Sequence, residues 1–455
     1  MDEIDLTKRF TILGLGISGS ATLKFLLEQK PKKIFISDKR PFDSLGDSVK
    51  EIINNNSQLI EAEFSPEHSL RCLETDYLIV SPGIKHDFPL INEARDRSIT
   101  VTTELELATQ ILSQSQKDFI GVTGTNGKST VTTLISHLTD YPACGNIGTP
   151  VIETIENSPS ECYICELSSF QLAHSNSIKP KVAIITNITP DHISWHGSWK
   201  HYVNSKLKIA ANQDQDDWLI LPKTEFFQNL QAKAKILWIN SKPQNEMFDQ
   251  NSIWINFDSE IIARINGIDN KVCKIEDIKL PGKHNLENAM FSIAAAKIFN
   301  VPSDKTRQKL AIFKGLEHRM EFVTKLKGKR FYNDSKATNT ESTILALQSF
   351  PGEIIWLAGG KDKMTDLTQL CKEANKRANS AILFGEAANR ISENLRKNNY
   401  KGEITLTKDM EEAVNLSIER EGRVVLLSPA CSSFDQFNNF EERGKAFKNI
   451  VNSFI

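Results

Sequence analysis

The chain has 455 residues, 40% of them hydrophobic and 25% charged, with a formal net charge of −2. This length is typical of about three domains, and the near balance of charges excludes any broad electrostatic attraction to nucleic acids or membranes. No apolar run approaches the ~20 residues that span a bilayer, and the polar start Met1-Asp2-Glu3 does not resemble a signal peptide, so we expect a cytoplasmic protein. The seven cysteines are scattered and odd in number, which favours reduced thiols.

A Rossmann-like unit is predicted for the start of the chain. An apolar run at 10–13 leads into the loop GLGISG at 14–19, leucines at helical spacing follow, and a second strand ends in Ser37-Asp38. A glycine loop lets the backbone approach a diphosphate, and an acid about twenty residues further on can bind a hydroxyl or an imide. These features fit UDP as well as NAD.

A third strand of this unit, at 77–80, stops at Ser81-Pro82-Gly83. Ligands of open α/β sheets bind at the carboxyl ends of the strands, although a purely structural turn explains these residues equally well. The unit is predicted to end near residue 103, because a helical segment begins at Glu104.

The most informative stretch runs from 119 to 130, with the sequence FIGVTGTNGKST. An apolar strand enters a turn of Gly, Thr and Asn, and apolar residues then recur at helical spacing over 131–138. Such a strand, loop and helix holds the phosphates of a nucleotide, because backbone N–H groups and the helix N-terminus face the anion. Lys128 would reach the outer phosphates and Ser129 would bind Mg²⁺.

This match to a phosphate-binding loop is incomplete. The usual signature has four residues between its first Gly and the Gly-Lys pair, which puts that first Gly at position 122, and this chain has Val122 there. An ordinary glycine-rich turn is the alternative, but strand, glycines, Lys-Ser and amphipathic helix all occur in order, which favours a nucleotide triphosphate site.

Two further strands of the middle region end in polar residues. One ends at Glu166, and the strand at 182–187 leads to Pro190-Asp191-His192. Because strands alternate with helices, we expect a mainly parallel sheet with ligands at its carboxyl edge. Glu166 would then lie near the phosphate loop, where a carboxylate can hold Mg²⁺.

Two metal-like spacings in this region have structural alternatives. Cys162 and Cys165 are three apart on a predicted strand and would face opposite sides, which favours buried thiols over a metal or redox site. His192 and His196 would share a helix face, a spacing that zinc sites also use, but no third ligand is evident. His192 is equally explained as a residue at a helix start after Pro190.

A helix is predicted to open within 280–288 (LPGKHNLEN) and to run through Ile298, with Asn285 and Asn288 in its first turn. They could recognise a base edge or simply cap the helix.

A third α/β unit is predicted after a hinge at 315–319. Three of its strands end in polar clusters, at 333–339 (NDSKATN), 359–361 (GGK) and 428–435 (SPACSSFD). Repeated Lys, Ser and Thr at one sheet edge are hard to explain by packing and indicate a binding site.

Together these segments resemble the Mur ligases, and the match covers essentially the whole chain. Residues 124–129, Glu166 and 280–285 are similar to the family at large and to its folylpolyglutamate synthase relatives. Residues 333–339 and 428–437 are more specific and are similar to the branch that adds D-glutamate to UDP-N-acetylmuramoyl-L-alanine. Within them, Ser432 and Phe434 replace an alanine and a leucine that are common in that branch.

The resemblance implies an α/β fold of three domains: a Rossmann-like UDP-binding domain at 1–103, a central P-loop ATPase-like domain with a mainly parallel sheet at 104–317, and a Rossmann-like amino-acid-binding domain at 318–455. It implies a monomeric, ATP-dependent ligase that adds D-glutamate to the UDP-linked substrate through an acyl phosphate, in cytoplasmic peptidoglycan precursor synthesis. ATP and two Mg²⁺ ions would be required, and neither nucleic acid nor membrane insertion is implied.

The resemblance also implies site residues. Those expected to bind the UDP-linked substrate are Gly14, Ser18, Asp38, Ser81, Gly83 and Asn146. Those expected to bind ATP are Gly124, Thr125, Asn126, Gly127, Lys128, Ser129, Thr130, Asn288, Arg319 and Asp334. Those expected to receive D-glutamate are Thr338, Lys361, Ser433 and Phe440. The metal ligands would be Ser129, Glu166, His192 and Lys206, and the catalytic residues Lys128, His192, Lys206 and Lys336.

Lys206 matches a lysine that this family carries as a carbamate, which would change it from a cation to an anion and support a second Mg²⁺. On the sequence alone Lys206 is a lysine on a helix surface, and the nearby Lys208 leaves the register open. Cations are needed because the reacting carboxylate and γ-phosphate repel each other, by ~4 kcal/mol for unit charges 4 Å apart at an effective dielectric of 20. Closure of the C-terminal domain about 315–319 would protect the acyl phosphate from water.

Three alternatives stay open at this point. The chain could be another Mur-type or folylpolyglutamate-type ligase with a different amino acid. The segment from Gly14 to Asp38, taken alone, fits an NAD-dependent oxidoreductase, which would leave Lys128 and Ser129 without a purpose. A non-catalytic protein gated by a nucleotide is the third possibility, and the intact phosphate loop and Lys336 argue against it.

Overall fold

The strands form three separate sheets in a computed structural model that describes residues 4–247, 249–280 and 282–454. Met1-Asp2-Glu3 and Pro281, which belong to segments discussed above, lie outside the described residues. The chain divides into two compact units, Met1–Ile275 with Asn288–Lys309, and Glu276–Glu287 with Leu310–Ile455. The first unit contains two of the sheets and the second contains the third. The predicted α/β class with three domains is confirmed.

The first sheet has the strand order β3-β2-β1-β4-β5, and every neighbouring pair is parallel. Its three central strands, β1, β2 and β4, are mostly buried, as is typical of a parallel sheet covered on both faces. The strand order reverses between β1 and β4, the place where open parallel sheets bind ligands. In chain order its elements are β1 (Arg9–Leu13), α1 (Ile17–Glu28), β2 (Lys33–Asp38), α2 (Asp47–Asn55), β3 (Ile60–Phe64), β4 (Tyr77–Val80), α3 (Pro89–Asp96) and β5 (Thr100–Thr102), followed by α4 (Glu104–Gln114).

The second sheet has nine strands in the order β14-β13-β12-β11-β10-β9-β6-β8-β7. In chain order its elements are β6 (Asp118–Thr123), α5 (Lys128–Thr139), β7 (Ala143–Gly145), α6 (Val151–Asn157), β8 (Cys162–Glu166), α7 (Ser169–His174), β9 (Val182–Ile185), α8 (Ile193–His196), α9 (Trp199–Leu207), β10 (Trp218–Pro222), α10 (Glu225–Gln228), β11 (Lys235–Asn240), β12 (Ser252–Ile255), β13 (Glu260–Ile265), β14 (Ile268–Lys274), α11 (Lys283–Ile298) and α12 (Ser303–Ile312).

The central sheet is mainly parallel, as predicted, with an antiparallel edge formed by β12, β13 and β14. The turn from β13 to β14 is Asn266-Gly267, both at positive φ, the backbone that a two-residue hairpin requires. At the other end of this region, α11 begins at Lys283. Asn288 therefore lies in its second turn, and the prediction that Asn285 and Asn288 share the first turn was wrong.

The third sheet has the order β15-β16-β20-β17-β18-β19, parallel except for the hairpin of β15 and β16. Its elements are β15 (Glu321–Leu326), β16 (Lys329–Asn333), α13 (Thr340–Gln348), β17 (Ile354–Gly359), α14 (Thr368–Arg377), β18 (Ala378–Phe384), α15 (Ala388–Lys397), β19 (Glu403–Leu406), α16 (Met410–Glu419), β20 (Val424–Leu427) and α17 (Phe440–Asn452). Because β16, β17 and β20 are parallel neighbours, the polar clusters that follow them meet at one sheet edge, as the sequence predicts.

All seven cysteine side chains are buried, which confirms the prediction for Cys162 and Cys165. Cys165 Sγ lies 3.4 Å from Cys144 Sγ on β7, because β7 and β8 pair directly at these residues. Among the residues that the structure describes, no helix combines the length and the apolar character needed to cross a membrane.

Candidate active site

The predicted strand, phosphate loop and helix are present between β6 and α5. Gly124 and Gly127 have φ values of +150° and +87°, which L side chains rarely adopt. A Cβ atom at Gly124 would lie 1.9 Å from Thr186 Oγ1, and one at Gly127 would lie 2.4 Å from Asn288 Oδ1. Both glycines are therefore required by backbone conformation and by space, and Asn288 lies directly against the loop.

The segment after β9 fixes the loop in place. The Thr186 hydroxyl donates to the Asn126 carbonyl (2.6 Å), the Asn126 N–H donates to Asn187 Oδ1 (2.9 Å), and the Thr125 N–H donates to the Asn187 carbonyl (3.0 Å). Sequence analysis placed Thr186 and Asn187 only at a strand end and missed this role. Their polar character directly after a buried strand was the available signal.

The Lys128 side chain bends back and contacts the backbone of the phosphate loop. Lys128 Nζ donates to the carbonyl oxygens of Gly124 and Thr125, both at 2.9 Å. Ser129 and Thr130 are buried in the first turn of α5, where backbone N–H groups have no partner within the helix. The loop thus presents N–H donors and an ammonium group to one place, which suits the phosphates of a nucleotide.

Glu166 ends β8 beside the loop, as predicted, because Val122 of β6 pairs with it in parallel register. Its Oε1 accepts a hydrogen bond from Asn146 Nδ2 (2.8 Å), so the structure brings these two predicted site residues together. Its Oε2 is buried and has no hydrogen-bond partner among the described residues. A buried oxygen without a donor is costly, and a cation would satisfy it.

Lys206 is not a surface lysine, so that part of the sequence interpretation was wrong. Its side chain on α9 is 1% exposed, and its Nζ donates to the Gly124 carbonyl at 2.7 Å. Burial and the nearby charge of Lys128 lower the pKa of Lys206 well below its ordinary value, although Asp191 and Glu166 oppose the shift. Lys208 instead donates to the Ala173 carbonyl (2.8 Å), so Lys206 rather than Lys208 contacts the phosphate loop.

His192 precedes α8 at a φ of +53°, which confirms its position at a helix start. Its side chain is 49% exposed, with Nε2 3.4 Å from Asp191 Oδ2. Both ring nitrogens of His196 are engaged elsewhere, with His201 Nδ1 (2.9 Å) and Ser169 Oγ (3.0 Å). Within residues 4–247, 249–280 and 282–454, no three His, Cys, Asp or Glu side chains are grouped so that they could hold a metal ion.

A cavity of about 960 Å³ lies where the first sheet reverses its strand order, between the ends of β1, β2 and β4. It brings together five of the six residues predicted to bind the UDP-linked substrate, namely Gly14, Ser18, Asp38, Ser81 and Gly83. Asn146 does not line it. Sequence analysis missed several other lining side chains, among them Lys39, Arg40, His68, Lys85 and Phe88.

Asp38 is buried at the wall of this cavity. Its two carboxylate oxygens accept four hydrogen bonds, from the Leu15 N–H (2.6 Å) and from the backbone N–H, Nε and Nη2 of Arg40 (2.8, 3.0 and 3.0 Å). Although burial raises the pKa of Asp38, the hydrogen bonds from Arg40 and Leu15 outweigh it and hold the pKa below its ordinary value. The carboxylate therefore fixes the glycine loop.

In the second unit, Asp334 is buried at the end of β16. It accepts hydrogen bonds from the Ser428 hydroxyl (2.8 Å) and the Met320 N–H (3.2 Å). Burial raises its pKa to about 7, against the effect of Arg319. Asp334 therefore joins the polar cluster after β16 to the one after β20.

The same two clusters are joined again by Arg443 of α17, which sequence analysis missed. Its side chain is fully buried and donates to the hydroxyl and carbonyl of Ser335 (2.9 and 2.8 Å) and to the carbonyls of Cys431 (3.1 Å) and Ser432 (3.3 Å). Burial lowers the pKa of Arg443 to about 10. Ser433, also buried, follows directly in the second of these loops.

The remaining predicted residues of the second unit lie around these loops. Lys336 Nζ lies 5.5 Å from the centre of the Phe440 ring, and Lys363 Nζ donates to the Thr338 carbonyl at 2.9 Å. The Lys361 ammonium lies 2.6 Å from Glu386 Oε2, and the Lys361 N–H donates to the Ser432 carbonyl (2.8 Å). Lys361 is thus paired with a carboxylate of the chain itself.

Three family models match the chain one after another. The model of the Mur ligase MurD-like N-terminal domain matches residues 8–103, that of the Mur ligase middle domain matches 122–296, and that of the Mur ligase glutamate ligase domain matches 318–431. Together they cover more than half of the chain.

Curated relatives match over nearly the full length. A UDP-N-acetylmuramoylalanine–D-glutamate ligase of Clostridioides difficile is 37% identical, with 98% of each chain covered. One of a Thermoanaerobacter species is 35% identical, again with 98% of each chain covered. One of Ligilactobacillus salivarius is 36% identical and covers 98% of this chain and 96% of its own.

Solved structures of more distant sequence share the fold. The UDP-N-acetylmuramate-alanine ligase MurC of Thermotoga maritima has a TM-score of 0.58 at 18% identity, covering 98% of this chain and all of its own. The MurF ligase of the same organism, in complex with ADP, has a TM-score of 0.60 at 16% identity, with 99% of each chain covered.

Proposed function

This chain belongs to the Mur ligase family, and we propose that it joins D-glutamate to UDP-N-acetylmuramoyl-L-alanine at the expense of ATP. The observation that carries the proposal is the full-length similarity, at 35–37% identity, to relatives named for this reaction. The N-terminal family match includes the glycine loop from Gly14 to Gly19, which removes the reason to assign that loop to an NAD-dependent oxidoreductase.

The proposed reaction has two steps. A carboxylate oxygen of the L-alanyl group attacks the γ-phosphorus of ATP, the bond from that phosphorus to the bridging oxygen breaks, and ADP leaves. The amine of D-glutamate then attacks the acyl carbon, loses its proton, and expels inorganic phosphate. Both steps bring anions together, so positioned donors and cations supply much of the stabilisation.

The phosphate loop would bind the triphosphate. Backbone N–H groups at the start of α5 would donate to the phosphate oxygens, and Lys128 would exchange the carbonyls of Gly124 and Thr125 for them. Asn288, which lies against Gly127, would be placed at the nucleotide. The residues Thr125, Asn126 and Thr130 complete this part of the site.

The residues beside the loop fit a magnesium ion. The hard cation prefers oxygen ligands, and the Ser129 hydroxyl together with the unsatisfied Glu166 Oε2 provides them. When bound, the ion would neutralise charge on the phosphate oxygens. The imidazole nitrogen of His192 matches such a cation less well than these oxygens do.

We propose that Lys206 is carbamylated and supports a second Mg²⁺ with His192. Burial lowers the pKa of its amine and so favours the unprotonated form, which would add to CO₂ with release of one proton. The carbamate would turn a buried cation into an anion, and its oxygens would suit the metal. Asp191 adds a further carboxylate nearby. Its Oδ2 lies 3.4 Å from His192 Nε2, and its charge acts to raise the pKa of Lys206.

The substrate subsites follow the cavity and the loops. The cavity with Gly14, Ser18, Ser81 and Gly83 would hold the uridine diphosphate, and Asn146 would touch the substrate beside Glu166. In the second unit, Thr338, Lys361, Ser433 and Phe440 would receive D-glutamate, with Lys361 on one carboxylate. Arg319 and Asp334 would face the nucleotide and Lys336 the reacting phosphoryl group.

The domain limits 1–103, 104–317 and 318–455, the cytoplasmic location and the monomeric state stay predictions. The amino-acid specificity is tested by a panel assay with purified protein. Phosphate release should require ATP, Mg²⁺, UDP-N-acetylmuramoyl-L-alanine and D-glutamate together. Comparable turnover with L-glutamate, L-lysine, meso-diaminopimelate or a folate substrate would contradict the D-glutamate assignment and favour a related ligase.

A further inference from the structure

Two acidic side chains, Asp38 and the exposed Asp87, line the cavity at the ends of β1, β2 and β4, and Asp38 has no acceptor capacity left for a ligand. An ionised carboxylate offers about four lone-pair sites, and Asp38 already accepts four N–H donors from Leu15 and Arg40. Glu63, behind the wall, accepts from the Ser37 hydroxyl (2.5 Å), the Ser69 N–H (2.9 Å) and the Ser69 hydroxyl. A ligand N–H group beside Asp38 therefore needs another acceptor.

His68 lines the same cavity and has one ring nitrogen turned to Ser37. Its Nδ1 lies 2.7 Å from Ser37 Oγ, which in turn lies 2.5 Å from Glu63 Oε1. Burial raises the pKa of Glu63, but hydrogen bonds from Ser37 and Ser69 outweigh it and keep the carboxyl ionised. The single hydroxyl proton of Ser37 must therefore go to Glu63.

This fixes the tautomer of His68. Because the Ser37 oxygen can only accept, Nδ1 of His68 carries the proton and donates it. Burial and the charge of Lys39 lower the pKa of His68 below its ordinary value, so the ring is neutral at physiological pH. Its Nε2 then has a lone pair, and it makes no hydrogen bond within the part of the chain that the structure describes.

The Phe88 ring beside His68 suits a flat base, and Lys39 Nζ lies 5.5 Å from the centre of the same ring. The Phe88 ring meets the imidazole edge to face, with centroids 5.7 Å apart. The phosphate-binding features, Gly14 to Ser18 and the N-terminus of α1, follow β1, whereas His68 lies in the segment after β3. The cavity therefore offers a diphosphate site at the glycine loop and an aromatic, acceptor-bearing wall at the neighbouring strands.

We propose that His68 determines base specificity, with its Nε2 accepting a hydrogen bond from the N3–H of uracil. Cytosine has a lone pair at N3 and would face the Nε2 lone pair without a proton between them. This inference rests on the proposed function, because that function supplies a uridine nucleotide as the ligand. The proposed function already includes residues that bind the diphosphate, and the inference adds His68 as the residue that selects the base.

The test is calorimetric binding of UDP, CDP and 2′-deoxy-UDP to the full chain, in the wild type and in His68→Phe. Phenylalanine keeps a ring against Phe88 and removes the acceptor. Removal of the acceptor for a ligand N–H group lowers the affinity about tenfold. We expect His68→Phe to weaken UDP and 2′-deoxy-UDP by this factor and to leave CDP unchanged. His137→Phe, on α5 outside the cavity, is the control and should alter none of the three.

The proposal would be overturned if His68→Phe lost affinity equally for UDP and CDP, or lost none. A loss of affinity for UDP with none for 2′-deoxy-UDP would indicate a ribose contact and would also overturn it. A second readout needs no variant. In the wild type the preference for UDP over CDP should shrink as the pH falls and Nε2 becomes protonated, and a preference independent of pH would contradict the proposal. If the wild type binds no UDP at all, the proposed function itself fails, which distinguishes the two failures.

Discussion

The Lys206 ammonium lies 2.7 Å from the carbonyl oxygen of Gly124, the first glycine of the phosphate loop. This hydrogen bond joins α9 to the carboxyl end of β6. The acceptor of the buried lysine is thus a neutral backbone carbonyl and not a carboxylate. Lys128 donates to the same carbonyl at 2.9 Å. Two cations therefore converge on one backbone oxygen, which favours loss of the proton from the more deeply buried one.

Replacement of Lys206 by Ala should lower kcat by roughly a hundredfold, the scale on which disturbed metal sites lose activity. Added acetate should restore part of the activity, because its carboxylate can occupy the space of the carbamate. Removal of CO₂ should slow the wild type in the same way. Lys208→Ala is the matched control, since Lys208 on the same segment donates to Ala173 instead. Full activity of Lys206→Ala would contradict the role of this lysine.

Substitution of Glu386 by Gln should lower the KM for D-glutamate. The Lys361 ammonium now pairs with Glu386, so the proposed substrate carboxylate must displace a carboxylate of the chain. Both side chains are about half exposed, and such pairs contribute up to about 1 kcal/mol, which corresponds to a decrease in KM of about two- to fivefold. The KM for ATP should not change.

The control for Glu386 is Glu403→Gln, which removes a comparably exposed partner of Arg420 at β19. Steady-state kinetics with varied D-glutamate provide the measurement. A raised KM in Glu386→Gln would mean that Glu386 helps to bind the substrate rather than competing with it.

Asp334 should make stability depend on pH. Its folded pKa of about 7 lies above the ordinary 3.8, so between these values the folded chain holds a proton that the unfolded chain lacks. Stability should therefore fall as pH rises through this window, by about 1.4 kcal/mol per pH unit at its steepest. In Asp334→Asn this contribution disappears. Urea unfolding of both proteins between pH 4 and 8 measures it, and parallel pH profiles would refute it.

Arg443→Met should raise the KM for D-glutamate by tenfold or more, on the order expected when loops lose their positioning. The guanidinium joins the loops at 335 and 431–432, which carry Lys336 and Ser433 on either side. Unfolding free energy should fall by about 1–3 kcal/mol, because carbonyl acceptors lose their donors. Added guanidinium ion should partly restore the KM in Arg443→Ala. A loss of stability with an unchanged KM would reduce Arg443 to a purely structural role.

The sequence predicted those parts of the site that depend on local order. The phosphate loop, the glycine loop with Asp38, and the polar ends of β16, β17 and β20 are each a strand followed by a turn, and parallel strands bring their ends together. Five residues predicted for the UDP-linked substrate indeed line one cavity.

The parts that sequence reasoning missed depend on residues distant in the chain. The sequence around Lys206 does not distinguish a buried lysine from a surface one, because Gly124, distant in the chain, contacts it only in the folded state. Arg443 lies on a helix rich in charge, where a buried arginine resembles a surface one. The acceptor state of His68 follows from a chain of hydrogen bonds through Ser37 to Glu63, which no sequence pattern contains.

The central claim is that the substrate carboxyl is activated by phosphoryl transfer from ATP. It is tested most directly with UDP-N-acetylmuramoyl-L-alanine carrying ¹⁸O in its terminal carboxylate, incubated with the protein, ATP, Mg²⁺ and D-glutamate. Mass spectrometry of the released phosphate should find one ¹⁸O atom per phosphate, delivered when the amine displaces it from the acyl group. Phosphate free of ¹⁸O, or label found in AMP, would contradict the account.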